Sequence, residues 1–380
     1  MKKRPLTIIG YTLFGLILLA NVLILASGKT YIYTTLIHLN PDLDDYKIFA
    51  NREVQYFRPQ PWPLAVRYNK KKLPDSLDKE LKALHTTAFL VIKNDSLVYE
   101  SYDDGGGQET ISNSFSVAKS VVSILTGIAL KEGRIGSLDE PVGDFLPEFK
   151  EGEKSKVTIR HLLTMSSGLD WDEAYSSLFS ETTEAYYGTN LAKLVSNRKL
   201  VSKPGTVWSY KTIDVQLLSM VLHKATGKTI SDYASEKLWP MIGAEHKALW
   251  SLDHSGGDEK AYCCFNATAR DFARIGKLYM DSGRWNGQQL VPANYVALST
   301  RANMIPDETG DPTDYYGYLW WLMQYKDLPV FYARGIKGQY VMVVPSKNII
   351  IVRLGEERSN HVTHNHHLEL EDMIAAALEM

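Results

Sequence analysis

Cysteine is almost absent from this chain. Two occur in 380 residues, side by side at Cys263-Cys264, so distant segments cannot be stapled together, and a bond between neighbours would strain the backbone. Two small, buried, apolar residues are expected there, and the lack of any zinc-type spacing around them leaves no metal or redox role. An excess of one charge is also missing. The 42 Lys and Arg residues and the 44 Asp and Glu residues are interspersed and leave a net charge of −2, which removes the electrostatic footprint of a nucleic-acid binder. The run Gly105-Gly106-Gly107 lacks the Lys-Ser/Thr ending of a phosphate loop and reads as a flexible turn. Low-complexity segments are missing as well. With 44% hydrophobic and 23% charged residues, the chain can bury a large core, as one domain of two lobes or as two domains.

What is present begins with a long apolar run. After Lys2, Lys3 and Arg4 the chain carries no charge from Pro5 to Gly28. The stretch Leu6–Ala26 is long enough to cross a bilayer and exceeds the roughly 7–15-residue core of a cleaved signal. A signal anchor over residues 1–28 is therefore expected, with a signal cleaved near Ala26 or Gly28 as the alternative. The basic cluster should stay in the cytoplasm, which sends the rest to the periplasm or cell exterior in both cases. Residues 29–80, rich in Tyr, Pro and Asn and broken by Arg58-Pro59-Gln60-Pro61-Trp62-Pro63, read as a juxtamembrane tether and strap. Residues 81–380 remain for the main domain.

Within it, Ala88–Ile92 and Leu97–Tyr102 flank Lys93-Asn94-Asp95-Ser96 as a β-hairpin. Val157–Leu169 reads as a short helix capped by Thr158 and closed by Gly168, with His161 as a hydrogen-bonded core residue. Ile213–Ala225, Ile230–Leu238 and Ala267–Met280 have helical periodicity. Strands return at Val330–Ala333, Gln339–Val344 and Ile349–Val352, the last two joined by Pro345-Ser346-Lys347-Asn348. Leu368–Met380 closes as a helix. This order predicts an α/β (α+β) fold, an antiparallel sheet built from both ends of the chain and flanked by helices, with an all-helical lobe at about 120–300. His361, His364, His366 and His367 read as a solvated helix start rather than a metal site.

The chemistry concentrates at Ser116 and Lys119, three residues apart and directly ahead of the apolar run Val121–Leu130. If a helix starts near Ser116, hydroxyl and amine share one face within a turn. The unpaired N–H groups of that helix start favour negative charge where an alkoxide or oxyanion forms. A lysine takes a serine proton only while neutral, which burial favours. Spacing alone is not specific, because Ser76/Lys79 and Ser196/Lys199 share it; no long apolar run follows either, and both read as solvated helix faces.

Longer strings surround Ser116-Val117-Ala118-Lys119. They are Gly133-Arg134-Ile135-Gly136-Ser137-Leu138-Asp139-Glu140-Pro141-Val142, then Thr158-Ile159-Arg160-His161-Leu162-Leu163-Thr164-Met165-Ser166-Ser167-Gly168-Leu169, then Pro204-Gly205-Thr206-Val207-Trp208-Ser209-Tyr210-Lys211-Thr212. With these the chain, from about Thr86 to its carboxyl end, resembles the serine β-lactamase and penicillin-binding-protein superfamily. The similarity is to the class C-like branch of esterases, D-aminopeptidases, D,D-peptidases and the 6-aminohexanoate-dimer hydrolase.

The resemblance implies a β-lactamase/transpeptidase-like fold and an acyl-enzyme on Ser116, with Lys119 and Tyr210 handling the proton and no cofactor or metal. Ala333-Arg334-Gly335 stands where the family has Lys-Thr-Gly or His-x-Gly. There Gly335 is expected to admit substrate to the strand edge, the Ile336 amide to join that of Ser116 as an oxyanion hole, and Arg334 or Lys337 to orient a substrate carboxylate. Thr212 replaces the family's Asn, and its hydroxyl cannot supply the same donor and acceptor pair. Together with Ala333 this argues against efficient lactam turnover. Tyr175 falls in the loop over the pocket. The implied partner is a small-molecule or peptide-like substrate, with the membrane engaged through the N-terminal helix. A D,D-peptidase or peptidoglycan amidase, and a non-catalytic sensor of wall fragments, are the alternatives. The oligomeric state is not readable.

Overall fold

The central sheet takes its strands from the two ends of the main domain, as the order of apolar segments predicts. In a computed structural model, which describes residues 4–380 and so leaves Lys2 and Lys3 outside the described residues, six strands form it. They are β1 (Thr86–Lys93), β2 (Ser96–Tyr102), β3 (Trp321–Tyr325), β4 (Leu328–Gly335), β5 (Gln339–Val344) and β6 (Ile349–Gly355). The order across the sheet is β2-β1-β6-β5-β4-β3, antiparallel throughout. Asn94 and Asp95 turn the β1–β2 hairpin at positive φ (48° and 62°), the conformation a two-residue hairpin loop requires and these residue types tolerate.

Strands β5 and β6 are buried along their whole length, which requires cover on both faces. Of the helices, α1 spans Arg4–Ser27, α2 Tyr31–His38, α3 Val117–Lys131, α4 Thr212–Thr226, α5 Ala269–Met280 and α6 Glu369–Glu379. Gly276 of α5 lies against Val341, Val343 and Ile350, whereas the Tyr340 hydroxyl donates to Glu369 of α6 (2.9 Å). Neighbouring strand residues point to opposite faces, so α5 and α6 cover the two sides. The free edge at β2 is shielded by the strap, whose Ala65 amide donates to the Leu97 carbonyl and whose Pro63 carbonyl accepts from Leu97, a common protection for an edge strand. Among the described residues one helix, α1, is long and apolar enough to cross a membrane, and none of its Ile8–Ser27 stretch is buried.

The structure differs from the sequence expectation in four places. The central region is not all helical, because Ala248–Ser251 and Phe265–Ala267 are strands that form a second, four-stranded sheet with Asn51–Val54 of the strap and Ser112–Asn113. These strands have two to four residues each, too short to show a period of two. The helix near Thr158 runs only from Ile159 to Leu163; Thr158 caps it with His161 in a capping box, and the turn at Met165 (φ 54°) ends it before Gly168. The histidine-rich turn is a small hairpin of Val362–Thr363 with His366–His367, not a solvated helix start. His366 and His367 are buried, and desolvation holds His367 down to about 4. Finally, Cys263 and Cys264 are not free thiols but are bonded to each other; Cys264 takes a left-handed conformation (φ 64°), and the turn brings the two side chains together.

Helix α3 is buried on nearly every side. At Gly127 a Cβ would meet Val291 and Tyr295 atoms at 2.6–2.9 Å, so this glycine allows the close approach of the 291–295 segment. Gly127→Ala should gain about 1 kcal/mol in helix propensity and lose about 1–3 kcal/mol to overpacking. A lowered urea midpoint is expected, and an increase would show that the contact relaxes freely.

Candidate active site

Ser116 stands at the N-terminus of α3, and the short strand Ser112–Asn113 leads into it. The turn between them is tight. The Ser114 amide donates to the Phe265 carbonyl (3.1 Å), the Phe115 amide to the Asn113 side chain (3.0 Å), and the Ser114 carbonyl accepts from Val117. Phe115 sits at φ 46°, a left-handed conformation that a bulky residue adopts only when its surroundings impose it. Although Ser116 occupies the N-cap position, its hydroxyl makes no capping bond. Instead it lies 2.8 Å from Lys119 Nζ.

Lys119 is 2% exposed. Its Nζ also donates to the Tyr262 carbonyl (2.9 Å), and the rings of Tyr210 and Tyr262 face it at 5.0 and 5.7 Å. The Tyr262–Cys264 turn that presents this carbonyl is itself held in place. Trp250 Nε1 donates to the carbonyls of Lys260 and Cys263, and Asn266 Nδ2 to that of Cys264. Tyr262 was not found by sequence reasoning, because the acceptor is a main-chain oxygen and no side-chain motif marks it.

Tyr210 and Thr212 arrive on the approach to α4. The Tyr210 ring packs among Trp208, Tyr316 and Trp321. Thr212 N and Oγ1 donate to Glu173 (2.7 and 2.6 Å), and the Tyr175 hydroxyl donates to the same carboxylate (2.8 Å). Glu173 thus caps α4 and ties the Tyr175 loop to it. It was missed in the sequence, where only its closeness to Tyr175 pointed to it. With both polar groups engaged, Thr212 contributes mainly a wall.

The end of β4 meets the Ser116 turn. A Cβ on Gly335 would lie 2.4 Å from the Ser114 carbonyl oxygen and 3.2 Å from Phe115 Cβ. The missing side chain lets the strand touch the backbone of the Ser116 turn, and Ile336 lines the same cavity as Ser116. Arg334 is stacked over Trp321, its guanidinium carbon 3.4 Å from the ring centroid, and donates to the Asn365 carbonyl. Lys337 pairs with Asp42 of the strap (3.3 Å). Ser116, Tyr175, Thr212 and Ile336 line one cavity of about 130 Å³, together with apolar and aromatic residues, the hydroxyl side chains of Ser176, Ser177, Thr182 and Thr183, and four strap residues. Arg334 is not in its wall. The exposed pair Ser76 and Lys79 lies on a solvated helix face as expected.

Beneath the site, Asp214 of α4 accepts from the Ser167 hydroxyl (2.5 Å). Burial pushes its carboxyl up to about 7, against the lowering effect of that hydrogen bond. Between an unfolded value near 3.8 and about 7 the native state holds a proton that the unfolded state has released, so stability is lost as pH rises through this window, by roughly 4 kcal/mol at most. Lys260, buried and pushed down to about 7, acts above that pH: the native lysine is neutral while the unfolded one is still charged, so stability rises with pH until the unfolded lysine also deprotonates near its ordinary value. Melting temperatures of wild type and Asp214→Asn between pH 4 and 7 should diverge in favour of the variant as pH rises. A constant gap would mean that Asp214 is ionised throughout.

A profile of the Beta-lactamase family matches residues 75–372. The chain is 26% identical over 314 residues to the 6-aminohexanoate-dimer hydrolase of Paenarthrobacter ureafaciens, covering 78% of this chain and 79% of that one. A proposed 6-aminohexanoate-dimer hydrolase of Bacillus anthracis superposes with a TM-score of 0.76 at 22% identity, over 87% and 91% of the two chains. A family VIII carboxylesterase superposes at 0.66 and 17% identity, over 84% and 99%. The antiparallel sheet, the helix that begins at Ser116 and a profile match over most of the length agree: the chain belongs to the Beta-lactamase family of serine hydrolases.

Proposed function

We propose that this chain is a membrane-anchored serine hydrolase, its catalytic domain facing the periplasm or cell exterior, that cleaves ester or amide bonds of small substrates through an acyl-enzyme on Ser116. The observation that carries the reading is the 2.8 Å contact between Ser116 Oγ and the buried Lys119 Nζ at a helix start. Ser116 Oγ attacks the carbonyl carbon as its proton passes to Lys119 and Tyr210. The amides of Ser116 and Ile336 hold the oxyanion. The C–O or C–N bond then breaks, the leaving group takes up the proton, and water releases the acid from Ser116. The export reading is supported by the apolar α1 behind a basic cluster.

A fluorophosphonate should label the wild-type chain on Ser116, as located by peptide mass mapping. Ser116→Ala should lose the label and reduce p-nitrophenyl acetate hydrolysis by roughly a thousandfold or more, while Ser76→Ala keeps both. Label retained by Ser116→Ala would end the proposal.

An ester's leaving group needs little protonation, whereas an amide nitrogen must be protonated as its bond breaks. Tyr210→Phe should therefore slow a p-nitroanilide more than the matching p-nitrophenyl ester. An equal loss on both would remove Tyr210 from leaving-group protonation and leave it a packing role among the aromatic rings.

A further inference from the structure

The segment read from sequence as a tether forms part of the cavity itself. Thr35, Leu39, Asn40 and Pro41 line it with Ser116. They are held from both sides of the site: Asp42 pairs with Lys337 after β4, the Leu43 carbonyl accepts from Asn113, and Asp45 accepts from the Tyr186 hydroxyl (2.7 Å). This wall begins almost at the membrane. Only Gly28–Thr30 separate α1 from α2, at most about 10 Å of chain, and the eight residues of α2 add about 12 Å. The cavity therefore lies within roughly 25 Å of the end of the apolar helix.

The outer side of this wall is apolar and uncovered. Leu36 and Ile37 are 52% and 75% exposed, and Phe179, next to the cavity-lining loop Tyr175–Leu178, is 68% exposed. Inside, Leu39, Phe115, Leu178 and Ile336 offer aliphatic and aromatic contact, and Ser176, Ser177, Thr182 and Thr183 add neutral hydroxyl side chains to the lining. A ligand matching both has a hydrocarbon chain and a polar group. Resting on the membrane-anchored hydrolase reading above, we propose that the natural substrates are carboxylic esters of membrane-resident amphiphiles, their acyl chains entering from the leaflet along α2. Leu36, Ile37 and Phe179 settle into the interfacial region, as apolar residues of surface-lying helices do. Ser116 Oγ bonds to the acyl carbonyl carbon, the ester C–O bond breaks, the alcohol leaves with the serine proton, and water then frees the fatty acid.

The test uses the full chain in phosphatidylcholine/phosphatidylglycerol nanodiscs, with 4-methylumbelliferyl oleate held in the discs and p-nitrophenyl acetate in solution. Ile37→Asp and Phe179→Asp replace exposed side chains outside the cavity wall. Each should lower kcat/KM for the oleate ester by about tenfold or more and leave acetate hydrolysis within about twofold, which also reports that the variants fold. Wild-type hydrolysis of the acetate but not the oleate ester, or equal losses on both in the variants, would overturn the membrane-substrate proposal while leaving the hydrolase. If neither ester is cleaved in a Ser116-dependent way, the hydrolase reading itself falls, and this proposal with it.

Discussion

A single buried nitrogen governs the arrangement of this site. Lys119 Nζ sits between the Ser116 hydroxyl and the Tyr262 carbonyl, and a polar group taken out of water without such partners costs several kcal/mol. The contacts therefore constrain three segments at once: α3, the tight turn that precedes it, and the Tyr262–Cys264 turn from a distant part of the chain. Each has its own support. The positive-φ Phe115 is fixed by backbone bonds to the second sheet, and the Tyr262–Cys264 turn by Trp250, Asn266 and the bond between adjacent cysteines.

Two further contacts carry this constraint outward. Gly335 lets β4 press its backbone against the Ser114 carbonyl, which couples the central sheet to the Ser116 turn and puts Ile336 in the wall of the same cavity. Glu173 joins the Tyr175 loop to the start of α4 through two hydrogen bonds to Thr212 and takes a third from Tyr175 within the loop. Charge-assisted bonds of this kind are stronger than neutral ones, so a flexible loop becomes a firm wall. The strap supplies the remaining side. A segment without helix or sheet periodicity over much of its length is thereby drawn into the site, and its link to the apolar N-terminal helix bears on where substrates come from.

The departures from the family's usual polar residues make sense together. Thr212 has given both its polar groups to Glu173, Ala333 has no polar group to give, and Arg334 lies flat on Trp321 with a backbone carbonyl as its acceptor. The cavity beside Ser116 is left with aliphatic and aromatic surface and neutral hydroxyl side chains, those of Ser176, Ser177, Thr182 and Thr183. Such a lining discriminates by shape and apolar contact more than by paired charge.

Local sequence determined the elements that repeat a strong pattern. The β1–β2 hairpin, β5 and β6, α4 and the terminal helix follow from periodicity and turn residues, and Ser116 with Lys119 from spacing in front of an apolar run. Family strings located Tyr210, Thr212, Gly335 and Ile336 in the chain. Tertiary structure alone decided what these residues touch. The Lys119 acceptor is a main-chain oxygen 143 residues away, and Glu173 acts across 39 residues. Gly335 lies against the Ser114 carbonyl, the four short strands pair across the chain, and the adjacent cysteines are bonded. Each depends on approach between remote segments, which local periodicity does not encode; the same holds for the strap, whose position beside Ser116 comes from docking and not from any pattern of its own.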